Sequence, residues 1–130
     1  MEPRTAEVPI WIVNAEHWPR AFLRAELIER GYDATGFVTL EDAVRRLRMT
    51  RAPGRRPALL VLDRREHAMD EATSELLQSA GVPVLAVADL AHHGDERRGP
   101  VVDVVHRPLT IGDVADTVDR LVQRISRRSR

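Results

Sequence analysis

Apolar residues along this chain gather into short runs, and the segments between most of them carry apolar residues at helical spacing. The first run, Val8-Pro-Ile-Trp-Ile-Val13, is continuous, as expected of a strand buried on both faces. Pro9 is tolerated near its start, where a missing N–H costs least. The polar step Asn14-Ala15-Glu16-His17 and then Trp18-Pro19 follow, with Pro19 suited to the first turn of a helix. Phe22, Leu23, Ala25, Leu27 and Ile28 give that helix an apolar stripe, and Gly31 supplies its C-terminal cap. Residues 32–37 predict a second strand. Thr39 and Asp42 resemble a helix-capping start, and Leu40, Ala43, Val44 and Leu47 continue at helical spacing. Pro53, Gly54 and Pro57 mark a loop. Ala58-Leu-Leu-Val-Leu62 predicts a third strand ending at Asp63, followed by a helix over about 70–80 closed by Gly81. Residues 83–88 and 101–105 predict the fourth and fifth strands. Ile111, Val114, Val118, Leu121, Val122 and Ile125 mark a long amphipathic final helix.

Strands that alternate with helices, three of them near-continuous apolar runs, call for a parallel sheet covered on both faces. Right-handed crossovers then make an α/β fold, a doubly wound five-stranded parallel sheet with flanking helices. In such sheets the working groups lie beyond the carboxyl ends of the strands, at a topological switch point. Asn14, Asp63, Ala88 and Arg107 fall at those ends. The segment from Asp89 to Pro100 has almost no apolar face and contains Gly94. It predicts a fourth helix that is short and irregular, or a loop.

With 130 residues, the chain predicts a single domain over 1–130, its core at about 8–125, ending in a basic tail at 126–130. The absence of cysteine excludes disulfides, thiolate metal sites and cysteine nucleophiles. Every basic side chain apart from histidine is arginine, which excludes a lysine Schiff base and a P-loop lysine. Acidic and basic residues balance at 20 each, which argues against nucleic acid as a partner. The arginines clustered at 45–56 and in the tail read as solvated surface. No apolar run approaches the ~20 residues of a membrane helix, and Met1 to Glu7 is too polar for a signal peptide. A cytoplasmic location without membrane contact is the expectation.

At the strand ends the chain resembles a response-regulator receiver domain, the CheY-like family. The residues that carry the likeness are Val13-Asn14-Ala15-Glu16, Leu60-Val61-Leu62-Asp63, Val87-Ala88-Asp89 and His106-Arg107-Pro108. The resemblance spans about residues 8–125 and implies the flavodoxin/CheY-like fold. It assigns Asp63 as the phosphoacceptor candidate and, with it, the metal-ligand position. It places an acidic pocket at Asn14, Ala15 and Glu16, and the switch positions at Ala88, Val104 and Arg107. Family members use an acidic pair, the acceptor aspartate and Mg²⁺ to neutralise an incoming phosphoryl group, a lysine to hold its oxygens, and a hydroxyl residue to report on it.

Against that pattern the site is degenerate. Asn14 and Ala15 stand in the acidic pair, Ala88 in the hydroxyl position, Arg107 in the lysine position, and Val104 where many receivers carry an aromatic residue. Arginine keeps the charge and changes its reach and geometry. The Met-Pro that usually follows the acceptor is missing, and His67 lies near that place. The 44 positions from Asp63 to Arg107 are somewhat fewer than the family's usual spacing. Asp63 is thus a working acceptor, a relic, or a structural carboxylate paired with Arg107. An Asp63–Arg107 ion pair would neutralise the site with no resident cofactor, Mg²⁺ binding being weak at most.

The leading expectation is a pseudo-receiver: a non-enzymatic signalling module with impaired Mg-dependent phosphorylation. It would act through a histidine kinase or downstream effector, or as a homodimer built on the final helix and fifth strand. The alternatives are a true phosphoacceptor using Asp63 in a two-component phosphorelay and, last, a small-molecule-binding flavodoxin-like domain. Among the other candidates, His17 and His67 lie on loops within reach of Asp63. His92 and His93 read as surface residues, since neighbours on a helix face different ways. Trp11 and Trp18 both read as packing residues.

Overall fold

The computed structural model describes residues 8–64, 69–89 and 99–128. Strand β1 (Pro9–Val13) leads to helix α1 (His17–Glu29), β2 (Asp33–Phe37) and α2 (Leu40–Met49). After a 3₁₀ turn at Pro53–Arg55 come β3 (Leu59–Asp63), α3 (Glu71–Ser79), β4 (Val84–Ala88), β5 (Val101–His106) and α4 (Ile111–Arg128). The five strands form one parallel sheet in the order β2-β1-β3-β4-β5. The order reverses between β1 and β3, so the switch point lies at the ends of those two strands.

Two-residue alternation along the strands divides the core into two layers. Ile10, Ile12, Leu59, Val61, Leu85 and Val87 face α1 and α4, meeting Leu23, Leu27, Val114, Val118 and Leu121. Trp11, Val13, Leu60, Leu62, Val84 and Ala86 face the opposite way, toward Leu40, Ala43 and Leu47 of α2 and Leu77 of α3. Burial on both faces explains why β4, and β3 up to Leu62, are apolar without interruption.

Local chemistry sets the helix ends. Thr39 accepts a hydrogen bond from the Asp42 N–H, and Asp70 accepts one from the Thr73 N–H. Thr110 and Asp113 form a reciprocal capping box that starts α4, each backbone N–H reaching the other's side-chain oxygen at 3.0 Å. Gly31 closes α1 at φ 97°, in the left-handed region that glycine enters without strain.

The apolar stripe expected on α1 is narrower than its sequence suggests. Only Leu23 and Leu27 are buried, whereas Phe22 and Ile28 are exposed. Trp18 is also exposed, at 64%, and so is not the packing residue expected; Trp11, at 5%, is core. Trp18 and Phe22 lie outside both core layers, and their rings stack on each other with centroids 5.6 Å apart. The expected short fourth helix falls almost wholly outside the described residues, as do His67, His92 and His93.

Candidate functional site

The site sits where β1, β3, β4 and β5 end together. Backbone pairing runs one step past the strands: the Arg64 N–H donates to the Val87 carbonyl and the Arg107 N–H to the Ala88 carbonyl. The second bond anchors Arg107 at the end of β5, two strands away from Asp63. The Arg107–Pro108 peptide is cis.

From there the Arg107 guanidinium bridges two carboxylates. Its Nη1 donates to Asp63 Oδ2 at 2.9 Å, Nη2 reaches Asp63 Oδ1 at 3.4 Å, and Nε donates to Asp89 Oδ1 at 2.8 Å. The first and third bonds are short and charge-assisted, whereas the second is at the long limit. The Asp63 side chain is 10% exposed, that of Arg107 22% and that of Asp89 41%. Burial works against the charge on Arg107. Its hydrogen bonds and charge interactions with Asp89 and Asp63 outweigh that, and the guanidinium is held above its usual pKa.

Asn14 completes the group. Its Oδ1 accepts from the Glu16 N–H at 2.9 Å, which turns Nδ2 toward Asp63 Oδ2 at 3.3 Å. An acid at position 14 would repel Asp63, whereas this amide donates to it. The Asn14 carbonyl accepts from Arg20 Nη1 at 2.8 Å. Gly36 on β2 makes room for that arginine, since a Cβ there would lie 3.1 Å from the Arg20 stem.

The remaining positions are placed as follows. Ala15 brings a methyl group to the second acidic position, and Glu16 immediately precedes α1. Ala88 is buried at the end of β4 and has no hydroxyl. Val104 is half-buried against the α2–α3 layer, with no ring to swing. His17 turns to Arg20 Nη2 at 3.5 Å and to the Trp18 ring, not to Asp63. Asp89 and Arg20 were not foreseen. Asp89 follows β4 directly, a placement the sequence displays, but nothing in the sequence says that it shares the guanidinium.

This donor set does not fit Mg²⁺. The ion asks for oxygen ligands in near-octahedral array. Here both Asp63 oxygens face a guanidinium, Asn14 turns an N–H toward them, and Ala15 has no donor atom. Among the described residues, no group of three or more His, Asp or Glu side chains is arranged to hold a metal. What the arrangement can do is set a guanidinium against a buried carboxylate as its counter-charge.

Solved structures define the class of protein to which this fold is similar. A CheY-like response regulator receiver domain protein from Methanospirillum hungatei superimposes with a TM-score of 0.72 at 14% identity, covering 93% of this chain and 98% of that one. The signal receiver domain of a signal transduction histidine kinase from Syntrophus aciditrophicus gives 0.68 at 25% identity, covering 89% and 90%. A putative pilus assembly-related protein from Burkholderia pseudomallei gives 0.68 at 22%, covering 92% of each chain. No protein-family model matches the sequence, and no curated protein does. The chain therefore has the fold of response-regulator receiver domains, the fold of two-component signalling proteins. Among the described residues no helix is long and apolar enough to cross a membrane.

Proposed function

We propose that this chain is a pseudo-receiver, a signalling module whose pocket is neutralised by Arg107 and which acts through protein contacts, not through Mg-dependent phosphorylation of Asp63. The observation that carries this reading is the 2.9 Å contact between the Arg107 guanidinium and Asp63. A carboxylate attacks a phosphoryl donor only if its oxygens are free to reach phosphorus and the added negative charge is offset. The guanidinium lies across both oxygens, and Asn14 and Ala15 do not supply the carboxylates that would recruit a divalent ion. Ala88 and Val104 lack the hydroxyl and ring through which a receiver couples its pocket to its surface. The module is non-enzymatic and has no resident cofactor on this reading.

Its partner is a histidine kinase, a downstream effector or a second copy of the chain. The apolar face of α4 is spent on the core, so that helix offers partners an outer face of Asp116, Arg120, Arg124, Arg127 and Arg128. Contact through it would be polar and salt-sensitive.

A second reading, a working phosphoacceptor, draws on the position of Asp63 at the end of β3 with a cation at hand for phosphoryl oxygens. Incubation with acetyl phosphate and Mg²⁺, followed by intact mass spectrometry, separates the two. The pseudo-receiver stays unmodified, like its Asp63→Asn variant. A phosphoryl adduct present in the wild type and missing from that variant would establish the second reading.

A further inference from the structure

We infer that the cleft between α1 and α4 is a binding site for a small, neutral, largely apolar molecule whose polar end meets Asn14, Asp63 and Arg107. The cleft holds about 330 Å³ and lies beyond the ends of β1 and β3, at the switch point of the sheet. Its inner walls are Leu23, Val61, Val87 and Val114, and Leu109 and Ile111 close one side. The stacked rings of Trp18 and Phe22 stand at its mouth, 64% and 56% exposed. Two large aromatic residues held in the open beside a cavity leave contact area that a ligand would bury.

Size and charge define the occupant. An aliphatic cavity of about 150 Å³ takes benzene, so this one suits a molecule of roughly two fused rings. Such a volume is too small for an element of another protein. The charged residues lining it are Asp63 and Arg107, and they offset each other at 2.9 Å. A charged ligand head would have to break that pair or sit unpaired beside it, both costly in a partly buried place. A neutral hydroxyl, amide or carbonyl meets neither cost and finds the Asn14 amide and Thr110 on the rim. This inference is independent of whether Asp63 accepts phosphate, since it rests on the walls of the cleft.

The test is titration of the full chain with 1-naphthol, a neutral two-ring probe with one hydroxyl, followed by amide and indole NMR shifts in Mg-free buffer. The expected result is saturable one-site binding, with shifts confined to the residues lining the cleft: the Trp18 indole, Phe22, Asn14, Asp63, Arg107 and residues 109–114. The Trp11 indole, in the other layer of the core, should not move. Ile111→Trp fills the cleft and should weaken binding by about tenfold or more. Phe22→Ala, at an exposed position that folding tolerates, should weaken it severalfold. Absence of saturation up to the probe's solubility limit would overturn the inference, and would be the result if the cleft received only a partner's side chain. Shifts scattered over the other layer, or undiminished binding by a folded Ile111→Trp protein, would overturn it as well.

Discussion

Replacing Arg107 by methionine keeps an unbranched apolar stem at the end of β5 and removes the guanidinium. Asp63, 7% exposed as a residue, would then hold its charge without that cation. The short Asp63 contact is charge-assisted and well shielded. The Asp89 contact is 41% exposed on the acidic side and contributes little after screening by solvent. The expected loss is therefore about 2–3 kcal/mol at pH 7, below the full cost of orphaning a deeply buried charge. In a 130-residue domain that lowers Tm by about 7–11 °C. Asp63→Asn keeps the shape and leaves Arg107 its Asp89 partner, so it should cost only about 1 kcal/mol. The double variant should reveal a coupling of about 1–2 kcal/mol in urea unfolding followed by tryptophan fluorescence. Arg107→Met with wild-type stability at pH 7, or a coupling below about 0.3 kcal/mol, would refute the electrostatic account.

Other outcomes follow from the same structure. Thr39→Ala removes the side-chain acceptor for the Asp42 N–H and should cost about 1 kcal/mol of unfolding free energy in urea. Leu85→Ala empties a fully buried position on β4, between β3 and β5, and should cost about 2–5 kcal/mol, read from the same transition. The Tyr32 hydroxyl donates to Asp119 at 2.6 Å, and burial together with that acid pushes its pKa well above the usual 10.0. A raised folded-state pKa contributes stability that is whole below the unfolded value and is lost above it. Wild-type Tm should therefore fall as pH rises past about 10, more steeply than that of Tyr32→Phe.

The fold was legible because its information is local and repeated. Apolar runs at Ile10–Val13, Leu59–Leu62 and Val84–Ala88 state two-sided burial directly. Thr39, Gly31 and Gly81 mark helix ends through chemistry that acts within a few residues. The site was legible where a strand end names a single position, as at Asp63 and Arg107. What depends on three-dimensional sharing was not. Asp89 adjoins a strand end, yet its share of the guanidinium follows from the direction in which Arg107 leaves β5. Arg20 reaches Asn14 only because Gly36, on a different strand, has no side chain. Trp18 and Phe22 carry the hydrophobicity of core residues, and periodicity alone places Phe22 on the stripe. They remain outside because Leu23 and Leu27 take the sheet-facing positions of α1.

The central claim, that a guanidinium stands where receivers bring a divalent ion, is tested most directly by titrating the protein with Mn²⁺ and reading water-proton relaxation. The account predicts no saturable site, and a titration that Asp63→Asn leaves unchanged. One saturable site in the wild type that vanishes in Asp63→Asn would contradict it.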